Sequence, residues 1–247
     1  MRLTVAGCGD AFGSGGRFNT CFHLQAAGRT FLVDCGASTH VALNAHGIDA
    51  NAVDAIILSH LHGDHFGGIP FLLLQGQFLT RREKPLLLAG PPGSTERINA
   101  AIEVFFPRST GNKWRFAWSV TEIPVGVPTA VLGVTVVSAE VVHFSGAPST
   151  ALRIGDGQKT FSYSGDTQWT EALLPIASGA DLFVVECYDY DRDLTGHLNW
   201  ATIRQRLGDF NARRVMLTHM NPTMLAKVEE AKAAGVLVAE DGLVLDL

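Results

Sequence analysis

Ser59-His60-Leu61-His62-Gly63-Asp64-His65 is the stretch that decides the fold of this chain of 247 residues. Five of its seven side chains can coordinate a metal ion or orient a residue that does. The stretch follows an apolar segment, residues 53–58, that is predicted to be a buried strand, and it precedes a segment with apolar residues at helical spacing, residues 69–79. Three imidazoles and a carboxylate at the end of a strand predict a metal site.

Three more candidate ligands, His143, Asp166 and His219, each lie just past a strand-like apolar run. Because strand ends converge on one rim of a layered fold, we expect these side chains to meet the histidine stretch. The combined set holds five histidines and two aspartates. Two ions would use all seven, with one carboxylate bridging them and with open positions left for water and substrate.

Composition and charge indicate the broad class of protein. Hydrophobic residues make up 47% of the chain and charged residues 17%, which is a globular composition with ample core. No linker or low-complexity segment divides the chain, so we predict one domain over residues 1–247. The net charge of −5 does not indicate nucleic-acid binding.

The distribution of apolar residues and cysteines bears on location. No stretch approaches the roughly 18 apolar residues of a membrane span, and the apolar run over residues 1–7 is too short for a secretory signal. The four cysteines form no CxxC pair and are too sparse for a disulfide scaffold. We therefore expect a cytoplasmic protein without a membrane partner.

Strands and helices alternate irregularly along both halves of the chain. The patterns predict helices over residues 38–46, 94–105, 168–177, 199–207 and 225–234, with Ser94 and Asn199 as N-caps. Two β-rich halves with helices between them predict an α+β fold, in which two sheets pack face to face with the helices outside.

The site motifs together resemble those of the metallo-β-lactamase fold superfamily. Residues 60–65 match its HxHxDH signature, and the other motifs follow in order at Asp34 with Gly36, His143, Asp166 and His219. The resemblance implies a four-layer αββα sandwich with a dinuclear site, usually zinc, although manganese and iron suit the same ligands. It implies a first ion bound by His60, His62 and His143, and a second bound by Asp64, His65 and His219, with Asp166 bridging and Asp34 nearby.

Three further segments resemble ribonuclease Z and related phosphodiesterases. They are the Gly-rich loop over residues 9–20, the turn Gly90-Pro91-Pro92-Gly93, and Glu186 followed by Gly196-His197. The resemblance implies that His197 stabilises or protonates the reacting phosphate and that Glu186 orients His197.

The chain departs from that branch in two places. Leu198 stands where the branch usually has serine. The interval between His143 and Asp166 is also too short for the long arm with which ribonuclease Z grips tRNA. These departures favour a smaller substrate than tRNA.

The chain is therefore predicted to be a hydrolase that cleaves a phosphodiester, either a small nucleotide-like ester or a cyclic one, with hydroxide activated by two divalent ions. Asp64 is the candidate that accepts the proton of the water. Lactone or thioester hydrolysis and tRNA 3′ processing are the alternatives within the same fold. The pair of Glu186 and His197 favours phosphoester chemistry over lactone or thioester chemistry.

An aromatic stretch between residues 105 and 118 is open to three interpretations. Its rings belong to Phe105, Phe106, Trp114, Phe116 and Trp118. Core packing is one interpretation, a lid over the site is the second, and a homodimer contact is the third. Basic residues interleave with the rings, which suits an anionic small-molecule ester as the partner.

Overall fold

The computed structural model describes all 247 residues, and its strands form two sheets of seven. The strands are β1 (Arg2–Gly7), β2 (Cys21–Ala26), β3 (Arg29–Val33), β4 (Ala55–Ile57), β5 (Leu86–Gly90), β6 (Trp118–Glu122), β7 (Thr129–Val131), β8 (Val134–Glu140), β9 (Thr150–Gly155), β10 (Thr160–Tyr163), β11 (Leu182–Glu186), β12 (Val215–Thr218), β13 (Leu237–Val238) and β14 (Val244–Asp246). The first sheet has the order β14-β1-β2-β3-β4-β5-β6, and the second has the order β13-β12-β11-β10-β9-β8-β7.

Eight α-helices accompany the sheets. They are α1 (Thr39–Ala45), α2 (Gly63–Phe66), α3 (Ile69–Leu74), α4 (Ser94–Phe105), α5 (Leu173–Ala177), α6 (Trp200–Arg206), α7 (Pro222–Leu225) and α8 (Val228–Ala233). A π-helical turn, Gln75–Leu79, extends α3. None of these helices is both long enough and apolar enough to span a bilayer.

The two sheets share one apolar layer, as the patterning predicted. Phe22 of the first sheet lies against Tyr163 and Phe161 of the second, with ring centroids 5.3 and 5.9 Å apart. These rings belong to a cluster of 23 buried residues drawn from both sheets. Two other clusters lie beneath the helices on the outer faces, so the predicted αββα sandwich is confirmed.

Strand direction gathers the candidate ligands at one edge of the sandwich. In the second sheet β10, β11 and β12 are parallel, and in the first sheet β3, β4 and β5 are parallel. The carboxyl ends of parallel strands face the same way, so the loops that follow them meet. The histidine stretch follows β4, Asp166 follows β10, and His219 follows β12.

Three predicted helix boundaries are wrong. Ser94 is the first residue of α4 rather than its N-cap, because Gly93 takes the cap position with φ of 92° and the Ser94 hydroxyl donates to the Pro91 carbonyl. Residues 168–172 are not helical: α5 begins only at Leu173, and the Gln168 N–H donates to the Val142 carbonyl. The segment 225–234 is divided between α7 and α8. Asn199, by contrast, caps α6 as predicted, through its bond from the Thr202 N–H.

The aromatic stretch divides between core and surface. Phe116 is buried in the cluster beneath α3 and α4, and Trp114 and Trp118 pack partly against the same cluster. Core packing therefore accounts for these three rings. Phe105 is 52% exposed, and for this ring the lid and homodimer interpretations stay predictions.

Arg82 is a buried cation that the sequence analysis did not single out. Its guanidinium donates to the backbone carbonyls of Lys84, Ala50, Asn51, Val53 and Pro85 and forms no ion pair. The planar fork of arginine reaches several carbonyls at once, which the ammonium of lysine cannot do. We expect Arg82→Lys to lower the free energy of unfolding by about 3 kcal/mol, because buried carbonyls lose their donors.

Urea unfolding of Arg82→Lys checks this expectation, with Arg81→Lys at the adjacent exposed position as the matched control. The control should change stability by less than about 0.5 kcal/mol. Equal stability of the two variants would contradict the structural role of Arg82.

Candidate metal centre

The histidine stretch changes conformation halfway along. β4 ends at Ile57, and no helix or strand follows until His62, which has extended backbone angles (φ of −83° and ψ of 152°) and is the N-cap of α2. Asp64 and His65 then lie in the single helical turn, where the His65 N–H donates to the His62 carbonyl. This change of direction sends His60 and His62 to one part of the site and Asp64 and His65 to another.

Seven candidate ligands lie together in two groups of closely spaced donor atoms. The first group contains His60, His62 and His143, and the second contains Asp64, His65, Asp166 and His219. Asp166 stands between the groups. Its Oδ2 lies 3.3 Å from Nε2 of both His65 and His219, and 3.9 Å from Nε2 of both His60 and His143. The structure thus brings together every residue that the sequence analysis named as a metal ligand.

Several of these buried atoms have no hydrogen-bond partner in the protein. They include Nε2 of His60, Nε2 of His65 and Oδ1 of Asp166. Buried polar atoms without partners are costly, and a cluster of them directed at one place is the arrangement with which a protein coordinates a cation. The donor set of imidazole and carboxylate fits divalent metal ions.

Asp34 and Ser59 fix the orientation of two of the histidines. Oδ2 of Asp34 lies 2.7 Å from Nδ1 of His65, and both the N–H and the hydroxyl of Ser59 donate to this carboxylate. The Ser59 Oγ also lies 3.0 Å from Nδ1 of His60. These contacts leave Nε2 of each ring facing the centre, which is the usual function of a carboxylate behind a metal-binding histidine. The sequence analysis placed Asp34 here but assigned no such contact to Ser59.

Gly196 orients His143 from the opposite side. The Gly196 carbonyl lies 2.7 Å from Nδ1 of His143, which leaves Nε2 directed at Asp166. The backbone of Gly196 has φ of 86°, and a Cβ atom there would lie 2.9 Å from the imidazole. Both restrictions require glycine at this position. The Gly196-His197 motif therefore supports His143 as well as carrying His197.

Glu186 and His197 form the predicted pair. Oε1 of Glu186, which is fully buried, lies 3.1 Å from Nδ1 of His197 and also accepts the Thr167 N–H. The ring of Tyr188 stacks on His197 with centroids 4.7 Å apart and an interplanar angle of 28°. No motif marked Tyr188 in the sequence. Its position two residues after Glu186, just past the end of β11, was the one signal that could have found it.

The histidines of the site differ in pKa because their electrostatic environments differ. Burial lowers the pKa of His60 and of His143, which favours the neutral imidazole that binds metal. Burial also opposes charge on His197, but the hydrogen bond and the charge of Glu186 outweigh it and raise the pKa of His197 to about 9. Asp64 is largely buried, yet its contacts with His65 and His219 hold its pKa well below the usual range.

The raised pKa of His197 predicts a pH-dependent stability of the metal-free protein. His197 is charged in the folded state below pH about 9 and in the unfolded state below about 6.5, so its contribution is complete below 6.5 and is lost as the pH rises through 9. The contribution is at most about 3 kcal/mol. Unfolding by urea between these pH values should show a steeper loss of stability for the wild type than for His197→Asn. Parallel curves would mean that Glu186 does not raise the pKa of His197.

Comparison with known proteins agrees with this geometry. The chain is 31% identical to a ribonuclease Z of Mycobacterium sp. (strain KMS), over 96% of this chain and 82% of that one. It is 28% identical to the probable metallo-hydrolase YhfI of Bacillus subtilis (strain 168), over 89% of this chain and 87% of YhfI. The crystal structure of YhfI, described as a metallo-β-lactamase fold protein, superposes with a TM-score of 0.81 at 25% identity over 99% of this chain and 98% of that one.

The short form of human tRNase Z superposes with a TM-score of 0.80 over 100% of this chain and 99% of the human chain. Its identity of 22% supports the fold alone. Fold, site and relatives together define this protein as a metallo-hydrolase of the metallo-β-lactamase fold, with ribonuclease Z among its relatives. Residues 1–241 match the model of the family described as Anti-Pycsar protein Apyc1, and the chain belongs to that family.

Proposed function

We propose that this protein is a metal-dependent phosphodiesterase that hydrolyses a small nucleotide-like or cyclic phosphodiester at a dinuclear centre. One observation carries the proposal: the Glu186–His197 pair stands beside the carboxylate that separates the two donor groups. Donor atoms of His143, Asp166 and His197 lie within 4.8 Å of one another. A protonated imidazole at that distance can reach a phosphate held between the two groups.

We propose that each of the two donor groups holds one metal ion. His60, His62 and His143 would hold one ion, and Asp64, His65 and His219 the other, with Asp166 shared between them. Zinc is the metal we propose, and manganese and iron suit the same donors. Divalent ions bound there supply hydroxide near neutral pH and offset the negative charge that develops on the phosphoryl oxygens.

Two residues of the chain, Asp64 and His197, would carry out the proton transfers. Oδ2 of Asp64 lies 3.2 Å from Nε2 of both His65 and His219, so this carboxylate is at the centre and can accept the proton of the attacking water. His197, kept protonated by Glu186, can donate to the leaving oxygen or to the developing charge. The stacked ring of Tyr188 and the bond to Glu186 restrict the imidazole to one orientation.

The structure offers less support for a tRNA substrate. The interval between His143 and Asp166 is used by residues 144–149, by β9 and β10, and by the turn between these strands. No segment of this interval is left to form an arm. The net charge of −5 also disfavours a polyanionic substrate. The resemblance of the Glu186–His197 pair to that of ribonuclease Z and related phosphodiesterases favours phosphoester chemistry, and we rank lactone and thioester hydrolysis second.

Metal analysis of the purified protein, followed by a panel of substrates, tests the proposal. The panel contains a bis-aryl phosphate, a cyclic nucleotide, a pre-tRNA, a thioester and a lactone. We expect about two ions per chain and turnover of the small phosphodiesters with little cleavage of pre-tRNA. Rapid cleavage of the lactone or thioester without phosphodiester turnover would reverse the ranking.

A further inference from the structure

The loop that carries His197 and the turn that follows His219 meet at one buried carboxylate, that of Asp189. The loop runs from Asp189 to Asn199, between β11 and α6, and contains no helix or strand. The turn leads from His219 into α7. Asp189 is only 1% exposed, although it belongs neither to the candidate ligands nor to the Glu186–His197 pair. A buried carboxylate needs partners, and these partners show what Asp189 holds in place.

We propose that Asp189 is a positioning residue of the proposed reaction. Its carboxylate joins the two segments and so sets the place of the His197 imidazole relative to His219 and to a phosphate held at the donor groups. The inference rests on the proposed function, in which His197 protonates the leaving oxygen. Asp189 itself has no contact with the substrate and acts through the placement of His197.

Contacts of Asp189 within the loop close it at both ends. Oδ1 of Asp189 accepts the N–H groups of Asp191 and Arg192, and Oδ2 lies 2.7 Å from Nη2 of Arg192. The Asp189 carbonyl accepts the Trp200 N–H at 2.9 Å, at the start of α6. The loop therefore begins and ends at the same residue, and the backbone that carries His197 depends on it.

Contacts across to the turn use the second oxygen of the same carboxylate. Oδ2 of Asp189 accepts Nδ2–H of Asn221 at 2.8 Å and lies 2.9 Å from the Thr223 hydroxyl. Oδ1 of Asn221 accepts the N–H groups of Thr223 and Met224 and so caps α7. The Asn221 amide thus has one end in the helix cap and the other on Asp189. This contact ties the carboxylate to the residue two positions after His219.

The imidazoles that the two segments carry lie against each other. The rings of His197 and His219 have centroids 5.6 Å apart and an interplanar angle of 15°. Donor atoms of Glu186, His197 and His219 lie within 4.8 Å of one another. Proton transfer requires hydrogen-bond distance between donor and leaving oxygen, so a displacement of about 1 Å between the two segments lowers the rate.

The negative charge of Asp189 allows one side chain to serve both segments. Burial opposes this charge, but hydrogen bonds from Arg192, Asn221 and Thr223 outweigh burial and hold the pKa of Asp189 well below its usual range. Both oxygens of an ionised carboxylate accept hydrogen bonds, whereas an amide has only one accepting oxygen. Asp189→Asn should therefore keep the contacts within the loop or those across to the turn, but not both.

The metal-loaded protein tests the role through a ratio of two kcat values. The numerator is kcat for bis(4-nitrophenyl) phosphate, whose leaving oxygen needs no proton. The denominator is kcat for a cyclic nucleotide, whose leaving oxygen is a basic alkoxide that stays on the same molecule. A variant that is only less stable lowers both values together, because the ratio does not depend on the amount of active protein. We expect Asp189→Asn to raise the ratio by about tenfold or more.

Asp191→Asn is the matched control, since Asp191 is an exposed aspartate of the same loop. It should keep the wild-type ratio. If the wild type hydrolyses both esters and Asp189→Asn also keeps the wild-type ratio, the inference fails while the proposed function stands. If the wild type hydrolyses neither ester, the proposed function fails and the positioning role fails with it.

Exchanging the two partners tests the contact itself. Asn221→Asp keeps an N-cap for α7, because aspartate caps helices as well as asparagine does, but it removes the donor to Asp189. This variant should also raise the ratio. In the double variant Asp189→Asn/Asn221→Asp, the amide at position 189 can donate to the carboxylate at position 221. The ratio should then return to within about threefold of the wild-type value. Effects that multiply in the double variant would overturn the inference.

Hydrogen exchange of the metal-free protein measures the connection without catalysis. Mass spectrometry should show amide exchange about tenfold faster in Asp189→Asn, both in residues 190–199 and in residues 221–225. Asp191→Asn should exchange like the wild type in both segments. Exchange in Asp189→Asn that stays at the wild-type rate in either segment would show that the carboxylate does not join them.

Discussion

Asp166→Asn is expected to lower kcat/KM for a phosphodiester by at least about a thousandfold, since a charge-stabilising contact worth several kcal/mol is lost. Oδ2 of Asp166 lies close to histidines of both donor groups, 3.3 Å from Nε2 of His65 and 3.9 Å from Nε2 of His60. Asparagine keeps the size of the side chain but removes the negative charge that both groups share. Metal analysis should show loss of at least one ion per chain.

The matched control for this prediction is Asp209→Asn, a surface aspartate whose side chain is 47% exposed. It should keep full activity and metal content. Retention of both ions by Asp166→Asn with near wild-type kcat/KM would show that this carboxylate does not join the two groups. Thermal unfolding of the metal-free proteins would show whether the substitution acts through folding instead.

The second large effect is expected for His197→Gln. General acid catalysis contributes about a hundredfold to ten-thousandfold, and the loss should grow as the leaving group becomes more basic. We therefore expect a large fall in kcat for an alkyl ester and a smaller fall for a 4-nitrophenyl ester, whose leaving oxygen needs no proton. The metal content should not change, because the seven candidate ligands remain. Rates measured over a leaving-group series check this prediction.

Glu186→Gln provides the test of whether the pair acts as a unit. Like His197→Gln, it should lower kcat more for the alkyl ester than for the 4-nitrophenyl ester. The kcat of the double variant should be only slightly lower than that of either single variant. If kcat falls equally for the alkyl ester and the 4-nitrophenyl ester, then His197 stabilises charge on the phosphate rather than protonating the leaving oxygen. If the losses of the two single variants, as activation free energies, add up in the double variant, then Glu186 and His197 act independently.

The residue types and their order along the chain predicted much of the site. The spacing of residues 60–65 after an apolar strand, with single ligands after three later strands, depends on local chemistry that a sequence displays directly. The structure brings these groups together because the strands that carry them are parallel within each sheet. The Glu186–His197 contact was also predicted, through the resemblance to a family.

The errors and omissions arise where contacts outside the local pattern fix the backbone or the side chain, some in the adjacent turn and some far along the chain. Ser94 has the chemistry of an N-cap, but the turn before it gives that position to Gly93. Residues 168–172 have a helical pattern, but the Gln168 N–H is taken by Val142 from another strand end. Arg82 looks like a surface cation, yet carbonyls of the segment 50–53 enclose it together with those of its own neighbours Lys84 and Pro85.

By itself the sequence predicted the α+β sandwich class and the seven candidate ligands, from periodicity and from the placement of metal-binding residue types after apolar strands, and it predicted the Glu186–His197 pair through the resemblance to a family. Only the tertiary structure decided that Ser59 and Gly196 orient histidines and that Tyr188 stacks on His197. The contacts of Ser59 with Asp34 and of Gly196 with His143 join different loops of the chain. Their distances are set by how the two sheets and their loops pack, which no local pattern specifies.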